Sequence, residues 1–334
     1  MIFYLIGVDY KKANIEQRET VHFFKKSFIR FLNSDGLHNA RIFYTCNRFE
    51  VYDFAQSIDE ASGNLNIFKK NFDYIFGGSY VFLGGKKVFG HLVRLASGLE
   101  SQLKGERQIL EQLINFSSQK DFPDNLKTIF TKAIFAAKLI REKATLDNKV
   151  YSIADLVLED ILGKNAVTGE LKIAIVGTGK IAELFASKRL KDSRFCFLAH
   201  KNYLKARELA KKAGGQAANL SEIEKTLLDT DILISATTSP HYILGVELFR
   251  KVAEKRKKVL YAYDLAIPRD IEPEVSSIDG IVLKNMDDLR PLFEKYEQRI
   301  EKEISVLENL AEDELKKYDE SFYEEKVESR HAYK

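Results

Sequence analysis

The chain has 334 residues, of which 45% are hydrophobic, and a formal net charge of +3. This composition excludes a disordered chain, favours two or three globular domains and gives no sign of a strongly basic nucleic-acid binder. Its two cysteines, Cys46 and Cys196, are too few for a disulfide framework, so each is judged from its surroundings.

The N-terminal residues are apolar and alternate like a strand, without the basic leader or small-residue cleavage site of a secretion signal. No apolar run approaches the ~18 residues of a membrane span. We therefore expect a cytoplasmic protein that does not contact a membrane.

The first half of the sequence mixes strands and helices. A helical stretch over 21–33 is followed, from Val88 to about Lys143, by apolar residues at helical spacing that a loop over 97–105 interrupts. We predict an α+β catalytic domain over residues 1–148. Its β-like runs lie at 3–8, 41–44 and 49–54.

Positive charge is concentrated near the end of this domain. Either a solvated helix face or a phosphate-binding patch would explain it. The cations are Lys120, Lys127, Lys132, Lys138, Arg141 and Lys143.

A polar break over 144–150 precedes a helix that Ser152 caps and that ends near Gly163. Strands and helices then alternate, which predicts a Rossmann-like domain with a parallel sheet over 149–288. The predicted strands lie at 172–176, 194–199, 232–236, 259–264 and 280–283, and a helix is predicted over 181–190.

A loop of the form GxGxxA joins the first strand of this domain to its helix. Glycines there permit a tight turn and close approach of the backbone to a pyrophosphate, so the loop predicts a dinucleotide site. The alternative is an ordinary glycine-rich turn. The loop residues are Gly177, Thr178, Gly179, Lys180, Ile181 and Ala182.

The end of the second strand indicates which cofactor binds. An acidic residue there would accept from the ribose hydroxyls of NAD, but His200 and Lys201 follow Ala199 instead. These groups favour NADPH. Cys196, inside the same strand, is expected to be a buried small hydrophobe.

A long charged segment over 289–334 ends the sequence. Asp287 and Asp288 can cap a helix that tolerates Pro291 in its first turn. Apolar residues recur every three or four positions from Phe293 to Leu315, which predicts one long helix with a single apolar stripe.

Cys46 stands between two predicted strands, in polar surroundings that are atypical of a core cysteine. The nearby Arg48 is expected to favour the thiolate, the form that attacks an acyl carbon. From these residues alone, a nucleophile and a structural turn cysteine both stay open.

The block Thr45-Cys46-Asn47-Arg48-Phe49-Glu50-Val51-Tyr52 resembles the cysteine signature of glutamyl-tRNA reductases, which begin tetrapyrrole synthesis from charged tRNA. A second block, from His91 to Ser101 and on to Leu110, is similar to the substrate-pocket segment of that family. Similar blocks also occur at 7–19, in the glycine loop and at 264–270, so the resemblance spans residues 1 to about 290 in the family's order.

The resemblance implies an NADPH-dependent reduction of glutamyl-tRNA(Glu) to glutamate-1-semialdehyde. Cys46 would attack the ester, release tRNA and hold glutamate as a thioester, which accepts a hydride more readily than a carboxylate does. His91 would assist proton transfer or position the ester.

The resemblance also implies a substrate pocket, and no metal is expected there. Arg48 would pair with the substrate's carboxylate, and Glu50 or Glu106 would hold its ammonium group. The remaining pocket residues would be Thr45, Asn47, Ser101, Arg107, Gln108 and Gln112.

Some positions depart from the family's pattern. Tyr10 stands where the family has histidine, Arg107 where it has proline and Glu111 where it has glycine. The family dimerises through a longer C-terminal helical region, so a shortened region is expected here and the homodimer stays open. Glutamate-1-semialdehyde aminomutase is the other partner that the resemblance implies.

Two other functions compete with this interpretation. An NADP-dependent oxidoreductase of a small metabolite, similar to shikimate dehydrogenases, would explain the glycine loop but not the cysteine block. A non-catalytic relative that binds tRNA or a pathway enzyme would explain the departures but not the retained Cys46.

Overall fold

The computed structural model describes residues 1–34, 37–76, 78–145, 150–163, 170–188, 190 and 192–318. The chain forms two compact units: unit 1 comprises Met1–Val150 and Lys295–Lys334, and unit 2 comprises Tyr151–Glu294. The predicted boundary between residues 148 and 149 lies outside the described residues, and the division into three domains stays a prediction.

Unit 1 is built on an antiparallel four-stranded sheet with the order β2-β3-β1-β4. The three predicted strands are confirmed, and a short fourth strand adds an edge to the sheet. Gly7 lies opposite Glu50 in the register, and a Cβ at Gly7 would come within 2.7 Å of the Glu50 side chain. The glycine therefore makes room for that carboxylate. The strands are β1 (Ile2–Asp9), β2 (Arg41–Thr45), β3 (Arg48–Ala55) and β4 (Tyr80–Leu83).

Helices cover this sheet and bury its apolar side chains. One core cluster joins Phe3 and Tyr52 of the sheet to the inner faces of α3 and α5, and α12 also packs on these two helices. The segment between α3 and α4 is a loop, as predicted. The helices are α1 (Ile15–Ser34), α2 (Ile58–Phe76), α3 (Gly85–Ala96), α4 (Gln108–Ser117) and α5 (Asp124–Lys143).

Unit 2 has the predicted parallel sheet, with six strands in the order β10-β9-β8-β5-β6-β7. The reversal of strand order at β5 is typical of doubly wound nucleotide-binding folds. Strand β7 is polar and short, which is why no periodicity predicted it. The strands are β5 (Leu171–Val176), β6 (Ser193–Ala199), β7 (Gln216–Asn219), β8 (Ile232–Ser235), β9 (Leu260–Asp264) and β10 (Ile281–Asn285).

The helices of unit 2 flank that sheet. The helix after the glycine loop ends at Ala186, four residues earlier than predicted. The α-helices are α6 (Ile153–Gly163), α7 (Lys180–Ala186), α8 (Tyr203–Ala213), α9 (Ile223–Leu228) and α10 (Val246–Lys255), and short 3-10 helices cover Leu220–Glu222 and Pro273–Ser277.

The C-terminal helical segment is confirmed but is not one continuous helix. Helices α11 (Arg290–Arg299) and α12 (Glu301–Lys316) meet at Ile300, whose φ of -109° and ψ of 21° are not helical. Ile300 is buried, so the break is consistent with packing of its side chain. Among the described residues, no helix is both long enough and apolar enough to cross a membrane.

Candidate active site

Cys46 lies in the tight turn between β2 and β3. Thr45 and Arg48 pair across this turn, and Cys46 is an exposed residue. The turn is held from two sides: the Thr45 hydroxyl accepts from the Asn47 N–H at 3.2 Å, and the Tyr10 N–H donates to the Asn47 carbonyl at 2.9 Å. The fold thus holds Cys46 at the surface on a hydrogen-bonded turn.

Arg48 acts on this thiol in the expected direction, since its positive charge lowers the pKa of Cys46, but stronger effects oppose it. Burial by the protein around the turn raises the pKa of Cys46 to about 11, and the negative charge of Glu106 raises it further. The charges of Arg18 and Arg48 lower the pKa by less than burial and Glu106 raise it. Without substrate, Cys46 is therefore a protonated thiol at neutral pH.

The loop between α3 and α4 is fixed next to this turn. The Tyr10 hydroxyl donates to the Ser101 carbonyl at 3.2 Å, and Arg48 donates to the Glu100 carbonyl. Tyr10 therefore binds both the cysteine turn, through its N–H, and the loop, through its hydroxyl.

Arg141 holds the same loop from beneath. Its side chain is buried and donates to the carbonyls of Ser97 at 3.1 Å, Gly105 at 2.9 Å and Glu106 at 3.3 Å. Arg141 consequently does not belong to an exposed basic face. The other cations of that stretch that are exposed are Lys120, Lys127, Lys138 and Lys143.

Glu106, carried by this loop, is the carboxyl whose charge reaches Cys46. Burial raises the pKa of Glu106 to about 7, although the Ser101 hydroxyl and Arg48 act to lower it. At neutral pH this carboxyl is therefore poised between its acid and base forms. A group with that pKa is suited to exchange a proton or to bind a cation.

Glu50 is the centre of a buried hydrogen-bond network. Its Oε1 accepts from Arg48 at 2.8 Å, from the Tyr80 hydroxyl at 2.5 Å and from His91 Nε2 at 2.8 Å. Its Oε2 accepts from the Tyr52 hydroxyl at 2.6 Å. Burial acts to raise the pKa of Glu50, but His91 and Arg48 outweigh burial and lower it. Glu50 is thus a charged anchor that orients His91 and Arg48.

The remaining predicted pocket residues stand at the beginning of α4. Gln108 is half-buried as the first residue of that helix, whereas Arg107 and Gln112 are exposed. Arg107 lies 3.9 Å from Glu111. The predicted site residues of unit 1 therefore range from buried, such as Glu50, to exposed, such as Arg107 and Gln112.

The glycine loop of unit 2 has the geometry that its sequence predicts. Gly177 has a φ of 112°, and a Cβ on it would lie 2.5 Å from the Ala236 carbonyl oxygen. The loops that follow β5 and β8 therefore touch at this point. A Cβ on Gly179 would meet nothing within 4 Å, so open space lies in front of the start of α7.

The carboxyl ends of the neighbouring strands carry further polar groups. His200 and Lys201 are exposed after β6. Asp270 accepts from the hydroxyls of Ser235 at 2.7 Å and Thr237 at 2.5 Å. Ligands of open α/β sheets bind at this edge, outside the carboxyl ends of the strands.

Asp264, at the end of β9, is a buried carboxyl. Its oxygens accept from the N–H groups of Ala266 at 3.1 Å and Ile271 at 2.8 Å. Burial raises the pKa of Asp264 to about 8, and the charge of Asp270 contributes. Cys196, in β6, is half-buried against the apolar core of this unit, and burial raises the pKa of its thiol.

Several side chains with roles in these sites were not predicted as site residues. Tyr80 and Arg141 carry no local signal, because their partners lie 30 and more residues away along the chain. In the sequence, Asp264 and Asp270 stood out only as members of the block 264–270 that resembles the family. Among the described residues, no cluster of three or more metal-ligating side chains occurs.

Two family models match the chain. Residues 6–144 match the model of the N-terminal domain of glutamyl-tRNA(Glu) reductase, and residues 161–292 match that of shikimate/quinate 5-dehydrogenase. Unit 2 therefore has a nucleotide-binding fold of the dehydrogenase type.

Curated relatives match over most of the chain. The glutamyl-tRNA reductase of Methanococcoides burtonii is 32% identical over 320 residues, which cover 92% of this chain and 74% of the relative. The glutamyl-tRNA reductase of Methanopyrus kandleri is 31% identical over 334 residues, which cover 97% of this chain and 80% of the relative. Among solved structures, the glutamyl-tRNA reductase of Methanopyrus kandleri aligns with 98% of this chain and 80% of its own at 28% identity, with a TM-score of 0.46.

Proposed function

The chain belongs to the glutamyl-tRNA reductase family, and from that membership we propose that it reduces glutamyl-tRNA(Glu) to glutamate-1-semialdehyde with NADPH. This reaction releases tRNA and is the first step of tetrapyrrole biosynthesis by the C5 route. The observation that carries the proposal is the exposed residue Cys46, held on a hydrogen-bonded turn near the Glu106 carboxyl, whose pKa is about 7.

The first step is a transfer of the glutamyl group to sulfur. The Cys46 sulfur attacks the ester carbonyl, the bond to the ribose oxygen breaks, and the proton lost by the thiol ends on that oxygen. The products are a Cys46 thioester and free tRNA. Because the pKa of Cys46 is about 11, the thiol has to lose its proton during the attack rather than before it.

The second step is reduction of the thioester. NADPH supplies a hydride when it is bound. The carbon–sulfur bond then breaks, the aldehyde leaves, and the Cys46 thiolate takes up a proton from the medium. We assign His91 to positioning or protonating the reacting carbonyl, since Glu50 fixes its ring at 2.8 Å.

Binding of the substrate's charges follows from the network around Glu50. Four donors already surround that carboxylate among the described residues. We therefore assign the substrate's ammonium group to Glu106 rather than to Glu50. Arg48 is assigned to the substrate's carboxylate, with Glu50 holding its guanidinium in place. The flanking pocket residues in this proposal are Thr45, Asn47, Ser101, Arg107, Gln108 and Gln112.

Unit 2 has residues that fit NADPH. The open space at Gly179 leaves room for a pyrophosphate, and the tight contact at Gly177 is one that only a glycine permits. We assign the 2′-phosphate to His200 and Lys201, which are exposed where NAD-binding proteins place an acidic residue. The loop residues Thr178, Lys180, Ile181 and Ala182 complete the site.

Mass spectrometry tests this function directly. Protein mixed with glutamyl-tRNA in the absence of NADPH should gain the mass of one glutamyl group on Cys46, and addition of NADPH should remove it. Cys46→Ser should fold normally and lose reductase activity. Reductase activity that survives this substitution at the wild-type level would contradict the role of Cys46.

The dehydrogenase match favours one rival function, an NADP-dependent oxidoreductase of a small metabolite. Comparing NADPH consumption with charged and with uncharged tRNA separates the two, because the rival predicts no dependence on the glutamyl ester. A purified protein that oxidises NADPH equally in both mixtures would favour the rival.

Partners and assembly complete the proposal. Glutamate-1-semialdehyde is reactive, so association with the aminomutase that consumes it would protect it from water. We propose a cytoplasmic enzyme. Light scattering at micromolar concentration decides the homodimer, since a monomeric mass excludes it.

A further inference from the structure

A cavity of about 640 Å³ opens in unit 1 on the side of His91. It lies between the end of β1, the edge strand β4, the first turns of α3 and the end of α12. We call it the basic cavity. The residues that define it are Lys12, Tyr80, Phe82, Lys86, Lys87 and His91.

The charge of the basic cavity is positive. Five lysine and arginine side chains and three carboxylates line it, and the carboxylates are Asp9, Glu100 and Glu312. Glu100 pairs with Lys11 at 2.8 Å and with Arg94 at 2.7 Å. By contrast, the structure gives Lys12, Lys86 and Lys87 no acidic partner among the residues that it describes, and all three are exposed. Three ammonium groups without an ion-pair partner, in a cavity whose net charge is positive, favour an anion with several charged oxygens.

The wall behind these lysines is aromatic. The Phe82 ring stacks on the His91 imidazole, with centroids 4.9 Å apart and planes 27° apart. The Tyr80 ring lies 5.8 Å from both Phe82 and His91. An aromatic surface next to ammonium groups is the combination that binds a nucleotide, since every base has a face to stack and every phosphate a charge.

The basic cavity adjoins the cysteine turn through two sets of contacts. Its wall residue His91 is hydrogen-bonded to Glu50. Glu50 is in turn hydrogen-bonded to Arg48, which lies two residues after Cys46. At the end of β1, the Tyr10 N–H binds the carbonyl of Asn47, and Lys12 follows two residues later. A ligand that extends from the cavity therefore has Cys46 within its neighbourhood.

We propose that the basic cavity binds the 3′-terminal nucleotides of the tRNA ester. The phosphates lie on Lys12, Lys86 and Lys87, and a base packs on the aromatic wall at Phe82. This inference rests on the proposed function, because the glutamyl group is joined to the terminal ribose and so must lie next to the terminal base and phosphate. Binding at the cavity then places the ester carbonyl at Cys46.

Binding of uncharged tRNA tests the cavity without requiring any chemistry. The variant Lys12→Gln/Lys86→Gln/Lys87→Gln should bind tRNA about tenfold or more weakly at low salt, and the slope of log Kd against log salt should fall by about 2, at roughly 0.7 per single-strand phosphate contact. A matched variant, Lys26→Gln/Lys69→Gln/Lys70→Gln, removes three exposed lysines outside the cavity and should match the wild type. Equal affinity and slope in the two variants would overturn the proposal.

Competitors distinguish a nucleotide site from a site for free phosphate. The trinucleotide CCA, which ends every tRNA, should displace tRNA from the wild type at lower concentration than inorganic pyrophosphate does. This advantage should disappear in the cavity variant. Displacement by pyrophosphate but not by CCA would overturn the assignment to a nucleic-acid end.

Formation of the thioester separates failure of the cavity from failure of the proposed function. The cavity variant should form the Cys46 adduct to the same extent at saturating glutamyl-tRNA, but with half-saturation at about tenfold higher concentration, as its weaker tRNA binding requires. If the wild type forms the adduct and the cavity variant reaches half-saturation at the same glutamyl-tRNA concentration as the wild type, only the cavity assignment fails. If the wild type binds tRNA and forms no adduct, the proposed function fails and the cavity stands.

Discussion

Replacing Glu50 by glutamine is the sharpest test of the network that orders the active site. The substitution keeps the shape of the side chain and removes the charge that Arg48 and His91 face. The Arg48 side chain is 2% exposed and would lose its counter-ion. We expect the free energy of unfolding of unit 1 to fall, because the guanidinium cannot regain water.

The size of the expected stability loss follows from the burial of the Arg48–Glu50 ion pair. Breaking a buried ion pair by removing one partner costs about 3–5 kcal/mol. A natural domain is stable by only about 5–15 kcal/mol, so Glu50→Gln should lose a large share of its stability at 25 °C. The milder Tyr80→Phe removes one of the hydrogen bonds to the same carboxylate and should cost about 1.5–3 kcal/mol.

The dependence on pH gives the same network a second signature. Because the pKa of Glu50 is lowered in the folded state, its contribution to stability is fully present above the ordinary pKa of about 4.5 and is lost as pH falls below that value. The difference in stability between wild type and Glu50→Gln should therefore stay constant from pH 7 to about pH 5 and shrink as the pH falls further.

Urea unfolding followed by circular dichroism measures these differences. The matched control is Glu111→Gln, whose carboxylate is exposed and lies 3.9 Å from Arg107, and which should change stability by less than about 1 kcal/mol. A Glu50→Gln protein as stable as this control, at both pH 7 and pH 4, would refute the role of the buried carboxylate.

Four further substitutions test other parts of the structure. Glu106→Gln removes the charge that raises the pKa of Cys46, so the midpoint of iodoacetamide alkylation against pH should move below about 11; an unchanged midpoint would show that the two groups do not interact. Arg141→Met leaves three loop carbonyls without their donor and should cost about 3 kcal/mol with faster amide exchange over 97–107; unchanged exchange there would contradict its positioning role. Gly177→Ala should destabilise unit 2 by about 1–3 kcal/mol, because the φ of Gly177 is positive. Gly179→Ala should keep the thermal stability of the wild type and weaken NADPH binding in a fluorescence titration. Equal effects of the two substitutions on stability would contradict the different surroundings of these glycines.

Local patterns determined a large part of this protein. The strands around Cys46, the glycine loop after β5 and the alternating order of unit 2 depend on residue periodicity and turn chemistry, which a sequence carries within short windows. The predicted parallel sheet is confirmed for the same reason. The family-like blocks added what periodicity does not carry, the likeness to a particular enzyme family.

Only the tertiary structure decided how the site is charged. The sequence placed Arg48 two residues from Cys46, and its charge does lower the thiol's pKa, but burial raises that pKa by more. Packing also pairs the Arg48 guanidinium with Glu50. The helix break at Ile300 and the meeting of Tyr80 and His91 on Glu50 likewise depend on contacts between distant segments. Desolvation and long-range packing have no period along the chain, so no local pattern records them.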